Sequence, residues 1–148
     1  TMHGFVCANA GIDASNVPGE DMVTLLPEDP DASARRIGER APLDGDVTGL
    51  AVIVSDTFGR AWREGQVNFA VGVWGISPLG DYAGTVDSQG KVLRVTNIAI
   101  ADELASAAEL VEAKSDGVPV AIVRGYGHDD SGKGIAAMLR DRATDLFR

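Results

Sequence analysis

The stretch Leu50–Gln66, LAVIVSDTFGRAWREGQ, changes within one residue from an unbroken apolar run to a dense group of functional side chains. Its apolar part, Ala51–Val54, is short and β-branched, which predicts a buried strand rather than a helix. The polar and glycine residues that follow are Ser55, Asp56, Thr57, Gly59, Arg60, Trp62, Arg63 and Glu64. Ligands of open α/β-type sheets gather where loops leave the carboxyl ends of strands. We therefore predict the functional site at the end of this strand.

The side chains of this group suit metal and anion chemistry. Asp56 and Thr57 place a carboxylate beside a hydroxyl, a pair suited to Mg²⁺ or Mn²⁺. Arg60 and Arg63 carry guanidinium groups that bind phosphate or carboxylate oxygens. The alternative is that Asp56 only turns the chain after the strand, with its carboxylate bonded to backbone amides.

Two other loops carry candidate polar groups. Asp13 and Asn16 stand three positions apart in a polar segment and would face one site if that segment makes a single turn. An Asx turn or a helix cap is the alternative interpretation of this pair. The loop Gly127–Gly134 nearly fits a phosphate-binding P-loop, but Gly134 stands where Ser or Thr should reach Mg²⁺, and its two aspartates would repel phosphates. We interpret this loop as an acidic turn.

Composition excludes several classes of function. The 148 residues carry a net charge of −9, with a pI near 4.5, so no basic surface is available for nucleic acid or an anionic membrane. Cys7 is the single cysteine, which excludes an internal disulfide and favours a reducing compartment. No apolar run is long enough for a membrane span, and no signal peptide is apparent. These features predict one domain over residues 1–148 and a cytoplasmic location.

Periodicity and turn signals predict the remaining elements. They are a strand over 4–11, a helix from Pro30 to about Arg40 with Asp29 as N-cap, a turn at Asp44–Asp46, a buried run at Val67–Ile76, a hairpin around Asp87–Gly90, a helix over Ile98–Lys114 capped by Thr96 or Asn97, a buried strand at Val118–Val123 and a helix over Ile135–Leu146. The expected apolar face of the helix over Ile98–Lys114 consists of Ile100, Leu104, Ala107 or Ala108, and Val111.

Five segments together resemble the coenzyme F-420-0:gamma-glutamyl ligase family. They are GFVCANAGIDASNVPG (4–19), LLPEDPDASARRI (25–37), VIVSDTFGRAWREGQ (52–66), VTNIAIADELASAAELV (95–111) and PVAIVRGYG (119–127). The resemblance implies an α+β fold, a mixed α/β sheet with flanking helices, in an intertwined homodimer. It also implies an enzyme that uses GTP and Mg²⁺ or Mn²⁺ to attach L-glutamate by an amide bond to the deazaflavin coenzyme F-420-0. The carboxylate would first be activated as an acyl phosphate.

The same resemblance implies roles for four residues. Asp13 of GIDASN and Asp56 of SDTFGR match metal-binding acids, and Thr57 matches a neighbouring metal position. Asn16 matches a nucleotide contact.

Four further residues are candidates beside these. Arg60 and Arg63 are predicted, from their chemistry alone, to contact phosphate or substrate carboxylates during catalysis. Arg124 and Gly125, in the last of the five segments, are predicted to help bind the nucleotide.

Two departures from the family pattern open alternatives. The family runs GQTD where this chain has Gly65-Gln66-Val67-Asn68, so a hydroxyl and a carboxylate are missing, and Trp74 replaces a small residue. The family's ligase module is also about 100 residues longer at its amino end, a common domain size. This chain is then expected to be the carboxyl-terminal part of such a module, or to need a second polypeptide. The alternative functions are a non-catalytic or partner-dependent assembly module and a related ligase with another carboxylate substrate.

Overall fold

The fold is built around one long β-hairpin that carries two helices. A computed structural model of the chain describes residues 1–42 and 49–147, and the turn predicted at Asp44–Asp46 lies outside them. The elements are a 3₁₀ segment at Ala8–Gly11, β1 (Ile12–Asp13), β2 (Thr24–Leu25), α1 (Pro30–Arg40), β3 (Val52–Arg60), β4 (Arg63–Trp74), β5 (Gly80–Asp81), β6 (Asn97–Ile98), α2 (Ile100–Glu112) and a 3₁₀ segment at Ile135–Met138.

The strands of the described residues form three separate antiparallel pairs, β1–β2, β3–β4 and β5–β6. The expected mixture of helices and strands is therefore confirmed, whereas a single mixed sheet is not found among these residues. The hairpin of β3 and β4 runs from the pair Val52–Trp74 to the pair Arg60–Arg63. Its register shifts after Val54 and again after Gly59, which places additional residues on β4. Such bulges bend a hairpin and increase its twist.

The predicted strand at Ala51–Val54 exists but is much longer than expected. Ser55, Asp56 and Thr57 continue β3 and pair with β4, so they do not form a loop beyond the strand. The expectation that these residues lie beyond the carboxyl end of the strand, as in an open α/β sheet, is therefore wrong. Thr and Phe are good strand formers, and the apolar residues of β4 provide a partner that extends the pairing. The prediction of a buried run at Val67–Ile76 is confirmed, and most of it is β4.

Helix α1 has the bounds that its sequence predicts. The Asp29 carboxylate accepts a hydrogen bond from the backbone N–H of Ala32 at 2.8 Å, and Pro30 occupies the first helical position. The buried face consists of Pro30, Ala34 and Gly38, all compact residues. They let the helix axis approach β4 closely.

Helix α2 is shorter than predicted and begins without a side-chain cap. Ala99 is its N-cap, because Asn97 belongs to β6 and is paired there with Asp81. Ile100 and Leu104 pack against the core as expected, and the small residues Ala101 and Ala105 are the buried ones. Of the two alternatives Ala107 and Ala108, Ala108 is half-buried and Ala107 is exposed. The predicted face is wrong at its far end, where Val111 is exposed.

The hydrophobic core lies where both helices meet β4. Its buried residues are Phe5, Ala70, Val71, Val73, Ile76, Ala101 and Ile135. Two carboxylates, one from each helix, also bind β4: Asp31 accepts from Val73 N at 2.7 Å and Asp102 from Ala70 N at 2.9 Å. These bonds satisfy strand amides near the bulge and fix both helices to the same strand.

The remaining predictions have mixed outcomes. The turn at Asp87–Gly90 is confirmed, with a short bridge between Val86 and Val92. The strand over 4–11 is wrong, because its last residues form a 3₁₀ segment. Residues 118–123 have no regular secondary structure and are mostly exposed, so the predicted buried strand is also wrong. The predicted helix over Ile135–Leu146 is reduced to Ile135–Met138.

No helix in the described part of the chain has the length and apolar content needed to cross a bilayer.

Candidate functional site

A cavity of about 150 Å³ lies between β3 and the segment around Asp13, beside the end of α2. It is lined by Cys7, Ala8, Asn9, Gly11, Ile12, Asp13, Ser15, Asp56, Thr57, Phe58, Gln66 and Lys114. The structure therefore brings together the three predicted metal-binding residues, Asp13, Asp56 and Thr57, although they come from segments more than forty residues apart in sequence.

Asp13 is held by a tight local turn. Its carboxylate accepts hydrogen bonds from Ser15 N at 2.8 Å and from Ser15 Oγ at 2.7 Å, the geometry of an Asx turn. These two bonds, backbone first, lower the pKa of Asp13, and the charge of Lys114 acts in the same direction. Asp13 is therefore a carboxylate at neutral pH, with its orientation fixed before any ligand binds.

Asp56 and Thr57 are adjacent on β3, where successive side chains point to opposite faces. Both nevertheless line the cavity, and Oδ1 of Asp56 accepts a hydrogen bond from Thr57 N at 2.8 Å. Oδ2 of Asp56 has no hydrogen-bond partner within residues 1–42 and 49–147. The interpretation of Asp56 as a residue that bonds backbone amides is thus correct for one oxygen and leaves the other available to a ligand.

Thr57 is oriented by Asn68, its cross-strand partner. Thr57 Oγ1 donates to Asn68 Oδ1 at 2.6 Å, and Asn68 is 4% exposed. Ser106 of α2 donates to the Asn68 carbonyl at 2.9 Å. Asn68 stands where the family resemblance leads us to expect a carboxylate, and here its neutral amide fixes the threonine hydroxyl.

Lys114 is a site residue that the sequence analysis missed. Its Nζ donates to Thr57 Oγ1 at 2.8 Å, and its carbonyl accepts from Asn16 Nδ2 at 3.3 Å. Its position at the end of a predicted helix gave little indication of a site, because a lysine there is usually explained by its favourable interaction with the helix dipole. Asn16, the predicted nucleotide contact, lies next to the cavity and bonds Lys114.

The predicted arginines lie elsewhere. Arg60 and Arg63 form the last pair of the hairpin and line a separate cleft of about 520 Å³ around its turn. Arg60 donates to the Glu64 carbonyl at 3.1 Å, while its buried Nε has no partner among the described residues. Gln66 lines both this cleft and the Asp56 cavity. The expectation that both arginines join Asp56 in one group is therefore not met.

Arg124 and Gly125 are not among the residues that line the cavity. Both are exposed and lie in the irregular segment that follows α2. Gly125 has a φ of +81°, which explains a glycine there by backbone conformation alone.

The cavity presents oxygen groups of the kind that a partly hydrated divalent cation binds. No three histidine, cysteine, aspartate or glutamate residues cluster in the described ranges, so a cage made only of protein ligands is absent there. Mg²⁺ commonly binds through one or two carboxylates and keeps several waters. Two carboxylates and one hydroxyl match that requirement.

Comparison with known proteins identifies the class and then the family. The family model described as F420-0:Gamma-glutamyl ligase matches residues 1–125. A protein of Methanothermobacter thermautotrophicus named Coenzyme F420:L-glutamate ligase is 52% identical over 151 residues, which cover 100% of this chain and 59% of that protein. The proteins of the same name from Methanocaldococcus jannaschii and Natronomonas pharaonis are 45% and 42% identical and are covered over 59% and 55% of their length, with 100% of this chain aligned in both.

These matches place the chain among ligases. It belongs to the F420-0:gamma-glutamyl ligase family, as the five segments indicated. The chain spans about three-fifths of the length of the curated relatives it matches.

Proposed function

We propose that this chain carries the metal- and nucleotide-binding part of a ligase that uses GTP to join L-glutamate to coenzyme F-420-0. One observation carries the proposal: Asp13, Asp56 and Thr57 converge on a single cavity in a chain that is 52% identical to a coenzyme F420:L-glutamate ligase. Because the chain covers 59% of that relative, the complete reaction is proposed for the assembled protein, with any further polypeptide it requires.

The chemistry requires activation of a poor electrophile. A carboxylate oxygen of F-420-0 attacks the γ-phosphorus of GTP, and the bond to the β-phosphate oxygen breaks, which gives an acyl phosphate and GDP. The amine of L-glutamate then attacks the acyl carbon, phosphate leaves, and the amine nitrogen loses a proton. The product is an amide.

The residues of the cavity have distinct parts in this scheme. Asp13 and Asp56 would hold Mg²⁺ or Mn²⁺ together with Thr57, and the ion would neutralise charge that develops on the transferred phosphoryl oxygens. Asn68 holds the threonine hydroxyl in place. The turn at Asp13 supplies a carboxylate that needs little reorganisation when a cation arrives.

The hairpin cleft is the proposed contact for an anionic substrate group. The Arg60 Nε, buried without a partner in the described part of the chain, is a donor that a carboxylate or phosphate oxygen would satisfy. Arg63 adds a second guanidinium at the same turn.

The test is the replacement Asp56→Asn. We expect the yield of glutamyl amide, measured by mass spectrometry in the presence of GTP, Mn²⁺, L-glutamate and F-420-0, to fall about 100-fold or more, because charge stabilisation by a metal is worth several kcal/mol. The assay uses the chain together with any polypeptide that co-purifies with it. Asp21→Asn, which changes an exposed carboxylate outside the cavity, is the matched control. Equal activity of wild type and Asp56→Asn would contradict the proposal.

A partner-dependent assembly module is the second candidate function. The observation in its favour is the irregular segment 118–123, where Val120 and Ile122 are 70% and 74% exposed. A contiguous exposed apolar patch marks a surface for a protein partner. Formation of glutamyl amide by this chain alone would eliminate this candidate.

A further inference from the structure

The side-chain ammonium of Lys114 lies in the cavity but has no part in the reaction scheme proposed above. Lys114 follows α2, and the intervening Ala113 has φ +47° and ψ 148°, a conformation that non-glycine residues rarely adopt. This turn directs the chain back toward β3. The carbonyl of Lys114 accepts a hydrogen bond from Asn16, which directly follows Ser15, the turn partner of Asp13.

The ammonium of Lys114 occupies a defined position. It donates to Thr57 Oγ1 at 2.8 Å, and the same hydroxyl gives its own proton to Asn68 at 2.6 Å. The threonine oxygen therefore keeps its two lone pairs as acceptors, and one of them accepts the hydrogen bond from the ammonium. Asp13 and Asp56 line the same cavity, so the ammonium lies in the field of both carboxylates.

We propose that Lys114 is an intrinsic counter-ion which competes with the divalent cation for the Thr57 hydroxyl and thereby sets the metal affinity of the cavity. This inference rests on the metal-binding part of the proposed function. When the metal is absent, the ammonium balances the carboxylates. When a metal binds, it displaces the ammonium from Thr57, because two cations cannot share one hydroxyl in so small a space.

The ammonium also offsets the repulsion between two carboxylates that share one cavity in a chain of net charge −9. Lys114 is exposed and has a long, flexible side chain, so its ammonium can leave Thr57 when a metal binds.

The first experiment measures Mn²⁺ binding directly, by electron paramagnetic resonance of the free ion. We expect Lys114→Gln to bind Mn²⁺ at least about tenfold more tightly than wild type, equal to about 1.4 kcal/mol. Lys114→Arg keeps the charge and should bind Mn²⁺ as wild type does. Lys91→Gln removes an exposed lysine of the hairpin around Asp87–Gly90 and is the control for net charge.

The outcomes separate this inference from the proposed function. Unchanged or weaker Mn²⁺ binding by Lys114→Gln, with binding still lost in Asp56→Asn, overturns the role of Lys114 and leaves the metal site intact. Absence of Mn²⁺ binding in both wild type and Lys114→Gln overturns the inference and the metal dependence together.

A second measurement uses the wild-type chain and does not depend on a variant that folds. Amine-directed labelling, followed by mass spectrometry of the peptide that contains Lys114, reports whether the ammonium is bonded. We expect saturating Mn²⁺ to raise the labelling rate of Lys114 severalfold and to leave that of Lys91 unchanged. An equal rate for Lys114 with and without Mn²⁺ contradicts displacement.

Discussion

At the scale of single residues, Asp102 shows how a carboxylate is used for structure rather than chemistry. It stands in the first turn of α2 and accepts the Ala70 amide of β4. Burial raises the pKa of Asp102, while the hydrogen bond from Ala70 acts against this rise. The folded state therefore holds a proton on Asp102 more tightly than the unfolded chain does.

This shift predicts a pH-dependent difference in stability between wild type and Asp102→Asn. Because the folded pKa is raised, the stabilisation is fully present below the unfolded pKa near 3.8 and is lost as the pH rises through the folded value. Urea unfolding from pH 4 to pH 8 should show wild type losing stability relative to Asp102→Asn with increasing pH. Asp102→Ala should be less stable than Asp102→Asn at every pH, since the Ala70 amide then lacks an acceptor. A difference between wild type and Asp102→Asn that is independent of pH would contradict the prediction.

The sequence predicted residues of the candidate site only where those residues belong to a recognisable motif. Asp13, Asp56 and Thr57 lie in segments whose composition and family resemblance mark them, and the structure places all three on one cavity. Lys114 carries no such mark, because its contact with Thr57 joins residues 57 positions apart through a backbone turn at Ala113. Residue type and local spacing hold no information on a contact of this kind.

At the scale of elements, the contact between α1 and β4 depends on glycine. A Cβ at Gly72 would meet the backbone carbonyl group of Pro30, and one at Gly38 would meet the Trp74 ring. Trp74, which stands where the family has a small residue, therefore packs on α1. Small residues on both surfaces let the helix lie directly on the strand.

We predict that Gly72→Ala destabilises the protein by about 2–3 kcal/mol, the cost of overpacking against backbone that cannot move independently. Gly59→Ala, on the paired strand β3, has no atom within 4 Å of the new Cβ and should change stability by less than about 0.5 kcal/mol. Chemical denaturation of both variants measures the contrast. Equal stability of the two variants would show that α1 is not closely packed on β4.

Elements with local signals were predicted well, and elements that depend on distant partners were not. Helix α1 begins and ends as expected because Asp29, Pro30 and the terminal residues specify it without help from the rest of the chain. The apolar run at 118–123 predicted a buried strand, but an apolar run does not reveal whether its partner belongs to the same chain. In the described residues this run is mostly exposed, whereas Ile135 of the following segment is buried in the core.

At the scale of the whole molecule, the uncovered segment 118–123 determines the expected state of association. It has no regular secondary structure and makes no backbone hydrogen bond to another described segment. Its exposed valine and isoleucine side chains form an apolar surface of the kind that binds another chain. A second copy of this chain is the partner that the family resemblance implies.

We predict that the chain sediments as a homodimer and that the double replacement Val120→Lys with Ile122→Lys shifts it to monomer, because each lysine removes buried apolar area and adds like charge across the interface. Sedimentation velocity over a range of protein concentrations measures the shift. Val92→Lys with Val95→Lys adds the same charge at exposed positions of the hairpin around Asp87–Gly90 and should leave the dimer intact. A wild-type chain that stays monomeric at all concentrations would refute the prediction.

The long hairpin of β3 and β4 also has a consequence for the order of folding. Its pairs can close from the turn outward, beginning with residues three apart, so the entropy cost of each step is small and we expect the hairpin to form early. The cavity needs contacts between residues 57 and 98 positions apart, Thr57 with Lys114 and Asn16 with Lys114. We expect such contacts to form only after the distant segments have docked on the hairpin. On this order of folding, the chain completes its rigid platform first and its ligand-binding residues last, so a ligand present during folding meets an unfinished cavity.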